Sequence, residues 1–316
     1  MRTKPRPDYL IAGAISALAF LLTYRFFGVF AILISLIPLL KVAIPKGPQG
    51  LFIPLAITSI GLAVGQGLLM EVNYLLSVGL LAAYLAFQIR CLPKGANKGA
   101  NKNKNPQATK ASTKIFVNLF TWVALICVFN LMTMDLKVMY EQIDMLFVKM
   151  SQGWTPQRDL EMQAFKHIFK TLVPYHGGLN AVATLILSWI ALFIAQKNLL
   201  KINLWKAPTL LLSNLELPMG FLIMCVTLTG AWFISPAPWV VTPIVGNFSM
   251  LFLGAYLLQG IGIVHYFAKN SKNTQMILVI FYGIMVMFSW LIMVIIALGV
   301  LEPWTNLKGR ILQRKE

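Results

Sequence analysis

The sequence predicts an all-α protein that crosses a membrane several times, and three observations support this. The chain has 316 residues, of which 58% are hydrophobic, and only 12% are charged, against about 25% in soluble domains. Its apolar runs are long and continuous, which favours spanning helices over the alternating strands of a β-barrel. Its basic residues concentrate in the gaps between these runs, as the positive-inside rule predicts for a helical membrane protein.

Nine apolar runs are candidates for helices that lie in the membrane, and we expect eight or nine to cross it. A crossing needs about 20 residues. The first run is shorter, so we interpret it as a retained span that forms a tight hairpin with the second, with Arg25 at the turn. In order, the runs are Tyr9–Thr23, Phe26–Ile44, Leu51–Met70, Tyr74–Leu92, Ile115–Met134, Leu179–Ala195, Pro218–Ile234, Asn247–Phe267 and Met276–Leu301.

The segment Lys94–Lys114 predicts the orientation of the chain. It holds six lysines and no acid, as expected of a disordered cytoplasmic loop. The chain then divides into a four-helix membrane half (1–93), this loop (94–114), a second membrane half (115–301) and a basic tail (302–316). We expect a bacterial inner-membrane protein whose N-terminus and loop 94–114 face the cytoplasm.

The same rule produces a conflict at the C-terminus. Nine crossings place the basic tail outside, against the positive-inside rule. Either one of the late runs does not cross fully or the tail is an exception. The long run Met276–Leu301 could instead tilt within the bilayer.

An insert at 135–174 is the one long charge-balanced stretch, with five acidic and five basic residues. Apolar residues recur in it at spacings of three and four, which predicts two amphipathic helices separated at Ser151–Gly153, the second beginning at Thr155–Pro156. We expect this external pair to pack on the bundle or lie on the outer membrane surface, or to form a lid over a pocket. Leu200–Leu217, with Trp205, predicts either an interfacial anchor or a short coupling helix.

Polar side chains inside the apolar runs are the candidates for a ligand site. They are Gln66, Asn130, Asn247, Gln259 and His265. Such groups either hydrogen-bond between helices or line a pocket for a small neutral ligand, and His265 is either interfacial or handles a proton or ligand.

The sequence favours no enzyme, cofactor or metal site. It contains no P-loop, HExxH or GxSxG pattern, and His167 and His176 lack partners at ligand spacing. Three scattered cysteines form no CxxC pair. The net charge of +17 follows the gaps, so we expect contact with anionic lipid headgroups rather than nucleic acid.

The C-terminal segment Gly299–Arg310 carries a family resemblance. Its glycine, Glu302, Trp304 and basic Lys308 and Arg310 resemble the tail of the YybS-like family of predicted bacterial membrane proteins, although Asn306 and Leu307 depart from that pattern. The N-terminal half, with its glycine-rich helix around Gln66, is similar to substrate-binding subunits of energy-coupling-factor transporters. Independently of the family, Trp304, Lys308 and Arg310 are expected at the lipid interface.

Two functions remain open. The first is a small-solute transporter, or a membrane substrate-binding component, without its own ATPase. The alternative is a non-enzymatic membrane scaffold in envelope biogenesis, in which the insert 135–174 binds an external protein partner and the basic loops bind lipid or a cytoplasmic protein.

Overall fold

The structure is a computed structural model that describes residues 11–16, 18, 20, 30–66, 74–92, 106–133, 135–151, 156–205, 207–234, 241–269, 271 and 273–308. These residues form helices and connecting turns and include no strand, which confirms the all-α class. Residues 11–16 are helical, and the longer helices are α1 (Phe30–Lys46), α2 (Phe52–Gln66), α3 (Leu80–Arg90), α4 (Pro106–Thr133), α5 (Leu136–Ser151), α6 (Pro156–Leu172), α7 (His176–Lys201), α8 (Met219–Ile234), α9 (Val241–Lys269), α10 (Thr274–Met287) and α11 (Leu291–Thr305).

Three of the described helical stretches are long and apolar enough to span a membrane: Ala108–Met132, Met162–Lys201 and Pro243–Lys269. Five further apolar helices have 10–17 residues. At 1.5 Å per residue, a helix of 15 residues is about 22 Å long, which is less than the roughly 30 Å of a bilayer's hydrocarbon core. Eight or nine crossings therefore remain a prediction.

Helices α7 and α9 form the centre of the bundle. Helix α7 packs against α1, α4 and α9, while α9 also packs against α8 and α11. Three aromatic rings from α4, α8 and α9 meet in this core, with centroids 4.8 Å apart for Phe120–Phe221 and Phe120–Phe252 and 5.5 Å apart for Phe221–Phe252. Edge-to-face rings of this kind favour one packing arrangement among the apolar helices.

The N-terminal helical residues are tied to the following helices by hydroxyl groups. Ser16 Oγ lies 2.6 Å from the Tyr74 hydroxyl and donates to the Ser35 carbonyl at 2.9 Å. Thr58 Oγ1 donates to the Gly13 carbonyl at 3.1 Å. These bonds satisfy buried polar groups between helices, so the described residues of the first apolar run pack within the bundle.

Two glycines allow α11 to approach α9 closely. A Cβ atom at Gly260 would collide with the carbonyl oxygen of Ile295, and one at Gly299 would collide with that of Tyr256. Small residues permit this backbone contact between helices in a membrane.

The apolar run Met276–Leu301 is not one long helix, which corrects the prediction of a single tilted span. Helix α10 ends at Met287 and α11 begins at Leu291, with a turn at Phe288–Trp290 between them. The tail after α11 reaches Leu215 through the Lys308 side chain, at 2.7 Å. Thr113, at the start of α4, binds the neighbouring Glu216. Lys308 and the start of α4 therefore lie at the same end of the bundle, while the side of the membrane that this end faces stays a prediction.

Two further boundaries differ from the sequence prediction. Helix α4 begins at Pro106, so the last part of the predicted loop 94–114 is helical, while residues 93–105 lie outside the described part of the chain. Leu200–Leu217 is not a coupling helix. After α7 it is irregular, with one 3₁₀ turn at Leu212–Asn214, and its Trp205 side chain is buried rather than interfacial.

Candidate functional site

Asn247 is fully buried near the start of α9, where it joins α9 to the start of α7. Its Nδ2 donates to the carbonyls of Pro174, at 2.7 Å, and Pro243, at 2.6 Å, and its Oδ1 accepts the N–H of Gly178. A Cβ atom at Gly178 would collide with the Asn247 backbone. The side chain thus satisfies groups left open where a 3₁₀ turn passes into α7.

Gln259 is also buried, with 1% of its surface exposed, and its Oε1 accepts the N–H of Leu217 at 3.2 Å. It lies 12 residues after Asn247 on the same helix, so the two are about 18 Å apart along the axis. Two groups that far apart do not contact one small ligand.

The other three predicted ligand-binding residues belong to different surroundings. His265 Nε2 lies 2.7 Å from the Tyr282 hydroxyl, which joins α9 to α10. Asn130 is half-buried on α4. Gln66 is the last residue of α2, and its side chain lies outside the described part. The described members of the predicted set therefore do not converge on a single pocket.

A segment between α7 and α8, residues 207–217, is held by polar side chains from three helices; we call it the clamped segment. Gln196 of α7 bonds both polar groups of Leu210, accepting its N–H at 2.7 Å and donating to its carbonyl at 3.2 Å. From α4, Ser112 Oγ accepts the N–H of Leu211 at 3.4 Å. Thr113 donates to the Glu216 carbonyl at 2.9 Å and accepts its N–H at 3.2 Å.

The C-terminal residues complete this clamp. The Lys308 side chain is only 5% exposed, and its ammonium donates to the Leu215 carbonyl. Burial lowers the pKa of Lys308, while the negative charges of Glu302 and Glu216 oppose that shift. The carboxylate of Glu302 accepts the N–H groups of Leu307, at 3.1 Å, and Lys308, at 3.3 Å, where the chain leaves α11.

Of the three residues expected at the lipid interface, the structure describes Trp304 and Lys308, whose surroundings differ. Trp304 is exposed on α11, as an interfacial anchor requires. The side chain of Lys308 points to the clamped segment instead, where its ammonium donates to the Leu215 carbonyl. Arg310 lies outside the described residues.

The sequence analysis missed Gln196, Ser112 and Thr113. All three are uncharged polar residues close to the ends of helices that face the clamped segment. An irregular segment that is partly buried needs such partners for its backbone. Two sequence features together could have identified these residues. Polar residues occur near the ends of two helices, and the connection at 202–217 is long and lacks helical periodicity.

Helices α5 and α6 form a hairpin, as the periodicity of the insert predicts. Asp144 of α5 pairs with two lysines one turn apart on α6, Lys166 at 2.7 Å and Lys170 at 2.8 Å. Hydrogen bonds from Lys166 and then Lys170 lower the pKa of Asp144. Phe147 and Phe169 meet edge to face, with centroids 6.0 Å apart. This ion pair and the ring contact fix how the two helices face each other.

The hairpin leaves a large apolar surface uncovered, which we call the hairpin face. Phe165 is 55% exposed and Ile168 53% exposed, although both belong to the apolar stripe of α6. Other exposed apolar members are Met145, Leu146, Val148, Met150, Phe169 and Leu172. Exposed apolar surfaces of this kind occur where proteins contact other proteins or a membrane.

Metal chemistry gains no support from the described residues, which contain no group of three or more His, Cys, Asp or Glu side chains arranged to hold an ion. Within the same part of the chain Cys127 and Cys225 are buried and Cys91 is exposed, all as free thiols.

A bundle of apolar helices with an appended polar hairpin defines this chain as an α-helical membrane protein. It belongs to the DUF2232 family of predicted membrane proteins, which matches residues 11–302. The match ends at Glu302, before Trp304, Lys308 and Arg310. Comparison with curated proteins gave no match, and comparison with solved structures gave none either.

Proposed function

We propose that this protein is a non-enzymatic membrane scaffold that docks a protein partner through the hairpin face. The observation that carries the proposal is the exposure of Phe165, Ile168 and their neighbours on a hairpin whose two helices are already joined by the ion pairs of Asp144. The bundle supports it as well, because Asn247 and Gln259 are committed to internal hydrogen bonds rather than to an open pocket.

The length of α7 supports a position for this hairpin outside the lipid hydrocarbon. Helix α6 ends at Leu172, and a 3₁₀ turn at Val173–Tyr175 separates it from α7. Helix α7 alone, with 26 residues, is long enough to cross. The part that includes α6 is therefore available to partners outside the membrane.

Charge favours a protein over a lipid surface as the partner. Helices that lie on anionic membranes are typically rich in Lys and Arg on their polar face. The insert 135–174 instead has equal numbers of acidic and basic residues. An apolar patch with aromatic members and a charge-balanced rim resembles a protein–protein interface.

Site-specific photo-crosslinking tests the proposal. A photoreactive side chain replaces Ile168 on the hairpin face, and in the control it replaces Gln163, which is exposed on another side of α6. In cells that express the full chain, we expect a protein adduct of discrete mass from position 168 and none from 163. Lipid adducts alone, or equal adducts from both positions, would contradict a protein-docking role.

Transport of a small, mostly neutral solute, with energy from a partner or none, is the second candidate. The His265–Tyr282 bond favours it, since it places a polar pair between otherwise apolar helices. Thermal stabilisation by vitamins, lipids or nucleosides is the test. If one solute stabilises the protein and His265→Ala abolishes that effect, transport is favoured over the scaffold. If no solute stabilises the protein, the transport hypothesis is rejected.

A further inference from the structure

A cavity of about 170 Å³ opens at the end of the bundle that holds the clamped segment. Its walls come from the C-terminal ends of α1 and α3 and from the chain that follows α7. The lining residues are Ile44, Pro45, Ile89, Arg90, Leu92, Leu204 and Ala207. Ile44, Ile89, Leu92 and Ala207 are buried apolar members of this lining.

Among the described residues that line the cavity, Arg90 is the one that carries a charge. Its guanidinium lies against the backbone of Gly47, where Nη1 occupies the space that a Cβ atom would take. Gly47 adopts φ +87°, a conformation that other residues rarely adopt. The turn after α1 is therefore shaped to seat the guanidinium at the cavity mouth.

The donors of this guanidinium remain available. Among the described residues, Arg90 forms neither an ion pair nor a hydrogen bond through its side chain. A guanidinium carries five N–H donors in a planar fork that suits the oxygens of a phosphate. The surrounding end of the bundle adds exposed lysines, Lys110, Lys197 and Lys201, which raise the local concentration of anions.

We propose that this cavity binds the phosphate group of an anionic phospholipid, with Arg90 as its ligand. The size of the cavity favours a lipid over a free soluble molecule. Ordinary ligand pockets enclose about 300–1,000 Å³, so this one accommodates only a fragment such as a headgroup. The exposed apolar side chain of Leu204 in the lining then contacts the glycerol and the first carbons of the chains.

The carbonyl ends of α1 and α3 disfavour an anion here, because helix C-termini carry partial negative charge. Arg90 stands in the last turn of α3 and Lys46 in that of α1. These cations offset the helix dipoles. Binding therefore depends on Arg90 and weakens when its charge is removed.

Titration of the purified full chain with short-chain lipids tests this site, with the unfolding temperature as the signal. We expect short-chain phosphatidylglycerol to stabilise the protein more than short-chain phosphatidylcholine or inorganic phosphate. Arg90→Gln should weaken phosphatidylglycerol binding about tenfold or more, because it removes the charge-assisted hydrogen bonds to the phosphate. Arg90→Lys should weaken binding as well, since one ammonium cannot form the paired contact.

Lys114→Gln is the matched control, because it removes an exposed cation at the same end of the bundle without touching the cavity. It should leave affinity unchanged within about twofold. Ala207→Val, which narrows the cavity and keeps Arg90, should also weaken binding. This second variant tests the cavity even if the Arg90 variants fail to fold. Equal affinity in the wild type and Arg90→Gln would overturn the proposal. Stabilisation by inorganic phosphate equal to that by the lipid would overturn the lipid assignment in favour of free phosphate.

Discussion

The buried side-chain amides of this protein hold irregular backbone in place through hydrogen bonds. Gln196 and Gln259 each bond a backbone N–H of the clamped segment, at 2.7 Å and 3.2 Å. Asn247 does the same where α7 begins. Because a buried N–H without a partner costs more than a hydrogen bond gains, these side chains determine where the irregular chain lies.

Gln259→Ala should therefore lower the free energy of unfolding by about 1–3 kcal/mol, the cost of leaving the Leu217 N–H unsatisfied. Gln142→Ala is the control, since Gln142 is exposed on α5. Thermal or denaturant unfolding of both variants in the same detergent measures the difference. Equal stability of the two variants would show that the Gln259 bond is dispensable.

Asp144 gives the hairpin a pH dependence. A carboxyl group whose pKa is lowered in the folded state contributes stability above its unfolded pKa and loses it as the pH falls through the lowered value. The hairpin should therefore stay closed at a pH where an ordinary aspartate, with a pKa of about 3.9, is half protonated, and open below that.

Spin-label distances between positions 142 and 163 measure this opening. Asp144→Asn should remove the acid transition, while Lys149→Gln, at an exposed lysine of the same helix, should retain it. An acid transition that persists in Asp144→Asn would assign it to another group.

At the scale of elements, contact between α9 and α11 depends on two glycines. Gly260→Ala or Gly299→Ala should destabilise the protein by about 1–3 kcal/mol, because the added methyl meets a carbonyl oxygen of the facing helix. Gly283→Ala in α10 is the matched control, since nothing lies within 4 Å of its Cβ position.

In the control, alanine should be neutral or stabilising by up to about 1 kcal/mol through helix propensity. Unfolding temperatures of the three variants test the contrast. A loss of stability at Gly283 as large as that at Gly260 would mean that close packing is not the cause.

The spacing of apolar residues and the length of apolar runs predicted helices well where the pattern had a clear helical period or a helix-starting proline. The hairpin boundaries at Ser151 and Pro156 follow from spacing and a proline at the first helical position. The turn at Phe288–Trp290 could not be predicted in this way, because an apolar run has the same composition whether or not a turn interrupts the helix. The clamped segment and the Arg90 cavity depend on contacts between residues far apart in sequence, which one sequence does not display.

At the scale of the whole molecule, the two ends of the bundle differ. One end gathers the start of α4, the clamped segment, Lys308 and the Arg90 cavity. The hairpin joins the bundle at the start of α7, the other end of that helix. In the proposed function the first end faces anionic lipid and the hairpin faces a protein partner.

Cysteine accessibility tests this two-ended arrangement most directly. In a Cys91→Ser background, Lys110→Cys, Trp304→Cys and Gln163→Cys are labelled in intact cells with a membrane-impermeant maleimide, before and after permeabilisation. The account predicts that Gln163→Cys is labelled in intact cells, whereas Lys110→Cys and Trp304→Cys react only after permeabilisation. Labelling of positions 110 and 163 from the same side would contradict it.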